Sequence, residues 1–241
     1  MKKLVIFVLV GLLAFSSCAS KEKINDSEIF EEYFEEFDIT VFYQDVSKSK
    51  TYHLLEALLD QLSENLLPPQ PVYSSYMPTL FPTELNNYLR DNKEAAAFFE
   101  REDCVYVLIS TYLTNLKTEN SWDYKNNNSR RKFFFFEMFL SSEMSLSKLN
   151  VTEKVQLMVL ALESSMVKSP LPFTIMISIM LSNNYPPFIE DVKPILIEAT
   201  PCCYCLRMNN DIVLPGGSES NHTIATDLIT RYAKQFINDN K

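Results

Sequence analysis

Residues 150–183 read NVTEKVQLMVLALESSMVKSPLPFTIMISIMLSN and contain two apolar helical patterns that are separated at Ser169-Pro170. Asn150 and Glu153 have the spacing of a capping box, in which each side chain bonds the backbone amide of the other residue. The first helix has an apolar face formed by Val155, Val159, Leu162 and Met166. The second helix, predicted over 172–183, is apolar nearly all round, so we expect it to be buried on most sides.

The same helical spacing of apolar residues extends over most of the chain, which predicts an all-α fold of about nine helices. The predicted helices cover residues 27–44, 51–67, 83–101, 103–117, 133–144, 150–169, 172–183, 187–199 and 222–238. Between them lie a connection rich in proline and tyrosine at 68–82, an Asn-rich loop at 118–130 and a loop at 206–221.

The scarcity of glycine excludes several classes of protein, since the chain has 3 glycines in 241 residues. One of them is Gly11, and the other two form the pair Gly216-Gly217. Loops that bind phosphate need several glycines so that backbone amides can approach the anion, which argues against P-loop and Rossmann-type nucleotide binding. Tight hairpins also depend on glycine for positive φ angles, which argues against a sandwich or barrel with many strands.

Helix starts recur about every 20 residues between Asn150 and Ala199, a period in the range of helical repeat proteins. This spacing loosely resembles the paired helices of HEAT-like α-solenoids. No residue-level repeat accompanies it, so the alternatives for the fold are an irregular helical bundle and a short α-solenoid-like array.

The first residues have the pattern of an export signal. Met1-Lys2-Lys3 is a short cationic start, and Leu4 to Phe15 is an unbroken apolar run of 12 residues. Such a helix is about 18 Å long, whereas the hydrocarbon core of a bilayer is about 30 Å thick. This length fits the apolar region of a signal peptide rather than a membrane-spanning helix. The small residues Ser16 and Ser17 follow, and then Cys18.

Phe15-Ser16-Ser17-Cys18 resembles a lipobox, the recognition site of the bacterial lipoprotein signal peptidase. Most lipoboxes have Leu three residues before the cysteine, so Phe15 makes this a relaxed form, similar to those of spirochaetal and Bacteroidetes lipoproteins. The resemblance, which covers residues 1–20, implies that Cys18 carries a diacylglycerol and that cleavage occurs before it. It also implies outer-membrane placement, because the residue after Cys18 is Ala19 and not Asp. The alternative is an ordinary secretory signal that is cut after Ser20 and leaves no anchor.

These patterns predict a signal peptide at 1–17, a lipidated linker at 18–26 and a single α-helical domain at 27–241, with 118–130 as the best place for a further boundary. Cleavage removes Lys2 and Lys3, so the net charge of −9 becomes −11. A protein this acidic repels nucleic acid phosphates and anionic lipid headgroups. We therefore expect no nucleic-acid partner, and we expect membrane contact to be made through the lipid.

The chain has four cysteines besides Cys18, and three of them lie close together. Cys202, Cys203 and Cys205 lie in the segment PCCYCL, and Cys104 is the fourth. They could form a disulfide that links Cys104 to the cluster, stay as buried thiols, or bind Zn²⁺ or Cu(I) with His222 as a further ligand. The spacing matches no established zinc motif, so no metal or cofactor is predicted.

No catalytic motif accompanies this cluster. The other histidine, His53, has no Ser or Cys at a spacing typical of a nucleophile and its base, and a GxSxG motif is absent. The sequence therefore favours an envelope lipoprotein that is not an enzyme and that binds a protein partner through an acidic or aromatic surface. The alternative function is a thiol-based redox or metal-binding protein that uses the cysteine cluster.

Overall fold

Helices dominate the part of the chain that the structure describes. The computed structural model describes residues 40–42, 44–65, 90–117, 132, 135, 136, 138–164, 171–200, 203–213 and 220–241. Of these residues 75% are helical, and this part of the chain holds nine helices and a three-stranded antiparallel sheet. All of it lies within the compact unit Asp38–Lys241. The mostly helical prediction is confirmed, whereas a purely all-α fold is wrong.

The helices with defined ends are α1 (Lys50–Asn65), α2 (Lys93–Phe99), α3 (Cys104–Lys117), α4 (Glu143–Leu146), α5 (Val151–Ser164), α6 (Leu171–Ser182), α7 (Pro186–Asp191) and α8 (Ser220–Asp239). The strands are β1 (Leu196–Thr200), β2 (Cys203–Met208) and β3 (Asp211–Val213), and two 3-10 turns lie at Thr40–Phe42 and Lys193–Ile195. Helical backbone also covers 138–141. Most of the predicted helix 27–44, the connection 68–82 and the loop 118–130 lie outside the described residues.

Helix α5 begins at the predicted capping box. The backbone N–H of Asn150 donates to Glu153 Oε2 at 2.8 Å, and the backbone N–H of Glu153 donates to Asn150 Oδ1 at 2.9 Å. Two amides at the helix start, which have no partner within the helix, are thereby satisfied. The Tyr106 hydroxyl donates to Glu153 Oε1, so the same carboxylate also connects α3 with α5.

Helix α6 is the apolar centre of the C-terminal half. Every residue from 172 to 180 is buried, which confirms the prediction that this helix is covered on most sides. It packs against α4, α5, α7, α8 and β2. No helix among the described residues is both long enough and apolar enough to cross a membrane.

Helices α1 and α8 are amphipathic, and each covers the core with one face. The predicted stripe of α1 is confirmed where it is described, since Leu55, Leu58 and Leu62 are fully buried. Helix α8 packs on both α5 and α6. Its buried residues repeat at helical spacing and are Ala225, Ile229, Tyr232, Ala233, Phe236 and Ile237.

The predicted helix over 187–199 is wrong beyond Asp191. Helix α7 ends there, a 3-10 turn follows at Lys193–Ile195, and β1 occupies the remainder. Pro194 has no backbone N–H, and its ring would clash with the carbonyl of Glu190 if the α-helix continued. The chain is therefore released into an extended conformation, which the β-branched side chains of β1 favour.

The predicted loop over 206–221 is wrong at its start, because it contains the end of β2 and all of β3. These strands pair antiparallel, with Met208 opposite Asp211, and the two-residue turn Asn209-Asn210 joins them. Its φ angles are 51° and 72°. A two-residue hairpin of this kind needs positive φ at both positions, and asparagine adopts it at lower cost than most residues. The scarcity of glycine therefore did not prevent this hairpin.

A third asparagine with positive φ ends α6. Asn184 has φ of 48°, its backbone N–H donates to the Leu181 carbonyl at 3.0 Å, and the N–H of Tyr185 donates to the Met180 carbonyl at 3.0 Å. These two bonds form a Schellman motif, in which a left-handed residue satisfies the last carbonyls of a helix.

We predict that Asn184→Ala lowers the free energy of unfolding by about 1 kcal/mol, because a Cβ without a compensating polar group is disfavoured in the left-handed region. Asn184→Gly should leave the stability unchanged or raise it, although it removes the same side chain. Urea denaturation of both variants measures the difference. Equal losses in the two variants would show that the side chain, and not the backbone angle, matters at this position.

Candidate functional site

Cys104 is a buried thiol in this structure. It lies at the first residue of α3 with an exposed fraction of 0%, and this described cysteine forms no disulfide. Its Sγ–H donates weakly to the Phe99 carbonyl at 3.9 Å. Burial raises the pKa of the Cys104 thiol, and the nearby ammonium of Lys148 opposes this only in part. Because the thiolate is the reactive form, this environment suppresses nucleophilic and redox chemistry at Cys104.

Two of the clustered cysteines lie on one strand. Cys203 is the first residue of β2, and Cys205 lies two positions further along the same strand. Cys205 is opposite Ile197 of β1 and is 1% exposed. Cys202 lies outside the described residues, so the thiol cluster as a whole stays a prediction.

The two histidines lie on different helices. His53 is exposed on α1, whereas His222 is in the first turn of α8, where its buried Nδ1 has no hydrogen-bond partner among the residues that the structure describes. Among the described residues, no group of three His, Cys, Asp or Glu side chains is placed to hold a metal ion.

The aromatic run at 133–136 contributes to the core wherever it is described. Phe135 and Phe136 are both fully buried, while Phe133 and Phe134 lie outside the described residues. Phe139 belongs to the same cluster, with its ring centroid 5.4 Å from that of Phe99 in an edge-to-face arrangement. Such pairs stabilise packing beyond the apolar area that they bury. These rings therefore form core, and they offer no aromatic surface to a partner.

Two tyrosine–aspartate pairs connect α7 and the residue before it with α8. The Tyr185 hydroxyl, just before α7, donates to Asp239 Oδ2 at 2.5 Å. In the opposite direction, the Tyr232 hydroxyl of α8 donates to Asp191 Oδ2 at the end of α7. Both tyrosine rings also pack edge-on against phenylalanines, Phe236 and Phe188 respectively. Each helix thus supplies one donor and one acceptor.

Both tyrosines are held in the neutral form. Burial, followed by the hydrogen bond to Asp239, raises the pKa of Tyr185. The hydrogen bond to Asp191, followed by burial, raises the pKa of Tyr232, while the Arg231 guanidinium above its ring acts in the opposite direction. The hydroxyls are therefore fixed hydrogen-bond donors, and they are unsuited to act as bases at neutral pH.

Lys154 is a buried cation whose hydrogen-bond partner is a neutral amide. It lies on α5 and is 9% exposed. Its Nζ donates to Oδ1 of Asn183, the residue directly after α6, at 3.3 Å. The C-terminal end of a helix carries partial negative charge, so α6 compensates part of the cost of burying the ammonium. Burial lowers the pKa of Lys154. The burial of Lys154 beside the end of α6 therefore has a structural explanation that needs no ligand.

These polar residues follow no local pattern that identifies them in the sequence. Tyr185 and Asp239 are 54 positions apart, and Tyr232 and Asp191 are 41 apart, so no local spacing predicts either pair. Lys154 follows the capping box directly, and there a charged residue would ordinarily be solvated.

We predict that Tyr185→Phe lowers the free energy of unfolding by about 1 kcal/mol at pH 7, because the variant keeps the ring and loses a hydrogen bond to a carboxylate. A tyrosine whose pKa is raised by folding contributes this stability fully below its unfolded pKa of 10.0, and the contribution decreases as the pH rises further. The difference in the free energy of unfolding between the unmodified protein and Tyr185→Phe should therefore decrease above pH 10. Asp239→Asn, which keeps an acceptor oxygen, is the milder control, and an equal loss in both variants would count against this account.

We predict that Lys154→Met raises the free energy of unfolding by about 1 kcal/mol at pH 7, because a side chain of similar length fills the same space without a buried charge. A lysine whose pKa is lowered by folding destabilises the protein while it is charged, and the penalty disappears as the pH approaches its unfolded value of 10.5. The increase in the free energy of unfolding that Lys154→Met causes should thus be smaller at pH 10 than at pH 7. Lys193→Met, at an exposed position outside the α-helices, serves as control, and a similar gain there would contradict the proposed cause.

Comparison of this chain with known protein families, with curated proteins and with solved structures finds no match in any of the three. Its function must therefore be argued from its own residues.

Proposed function

We propose that this protein is an exported lipoprotein whose Cys18 carries the lipid that anchors it in the cell envelope, and whose helical body binds a protein partner there. The observation that carries the proposal is the apolar run from Leu4 to Phe15, which is followed by Ser16, Ser17 and Cys18. A run of this length fits a signal peptide, and a thiol at this position is the attachment point that a lipobox requires.

The anchor follows from the chemistry of acyl chains. A single chain gives marginal and reversible membrane binding, whereas two or three chains on one residue give stable attachment. A diacylglycerol on Cys18, with or without an acyl group on its amino nitrogen, provides that number. Ala19 supports placement in an outer membrane, since the retention signal of similar lipoproteins is an Asp at this position.

Charge indicates the kind of partner. The processed chain has a net charge of −11, which repels anionic headgroups and keeps the body away from the membrane surface. A cationic surface on an envelope protein is the complement of such a body, because opposite potentials raise the association rate and suppress binding of other partners. The buried aromatic residues Phe135 and Phe136 support an acidic rather than an aromatic contact surface.

An irregular bundle describes the body better than an α-solenoid. In a solenoid each repeat contacts only its neighbours. Helix α5, by contrast, packs against α8, which is three helices further along the chain and follows the sheet.

We predict that the mature N-terminal peptide from native cells begins at Cys18 and carries the mass of a diacylglycerol, with or without a further acyl chain. Mass spectrometry of the purified protein measures the cleavage site and the lipid together. Cys18→Ala should abolish cleavage before residue 18 and should increase the share of the protein outside the membrane fraction. Ser17→Ala should leave cleavage and membrane attachment unchanged. An unmodified peptide that begins after Ser20 would overturn the anchor.

We predict that crosslinking in intact cells captures an envelope protein with a basic surface, and that moderate salt weakens this complex after extraction because charge complementarity is screened. The Cys18→Ala variant should lose most of the adduct, since it no longer shares a membrane with its partner. If the anchored protein yields no specific adduct, the proposed binding function is wrong, whereas the proposed lipid anchor is unaffected.

A further inference from the structure

We draw no further inference here: the strongest candidate, the sheet face on which Arg207 of β2 lies opposite the 61% exposed Ile212 of β3, is an unpartnered face, and nothing in the described part of the structure shows what covers it.

Discussion

The burial of α6 is the constraint on which the C-terminal half depends. A helix that is apolar on every side loses the hydrophobic free energy of its side chains unless other elements surround it, at about 25 cal/mol for each Å² that stays in water. Helices α4, α5, α7 and α8 and strand β2 all pack against it. The two helices that contact it most extensively, α5 and α8, also pack against each other, so one three-helix core holds the shorter elements in place.

Polar contacts decide how these elements are oriented around that core. Hydrophobic burial is not directional, and it would accept several rotations of α8 on α5 and α6. The pairs Tyr185–Asp239 and Tyr232–Asp191 favour the observed rotation, because both bonds form in it together. The ammonium of Lys154 donates to Asn183 directly after the end of α6, so this bond connects α5 with that end. The cost of burying these groups is thus accompanied by a gain in the specificity of packing.

Asparagine takes the place of glycine at the tight turns of the described structure. Non-glycine residues with positive φ are Asn184, Asn209 and Asn210, and each serves a defined turn. The first ends α6 with a Schellman motif, and the other two join β2 to β3. A short polar side chain that can bond locally lowers the cost of the left-handed conformation. A chain nearly without glycine therefore still makes a helix stop and a two-residue hairpin.

The local sequence was sufficient to determine the helices that have a clear periodic pattern. The capping box at Asn150, the burial of α6 and the helical spacing of apolar residues in α1 and α8 were predicted, because each depends on neighbours within a few residues. The short strands after Asp191 were not predicted. Pro194 indicates where a helix ends, but it does not indicate which strand pairs with the segment that follows. The pairings that orient α8 join residues 41 and 54 positions apart. Only the tertiary structure decides such contacts, because they exist once hydrophobic packing has brought distant segments together.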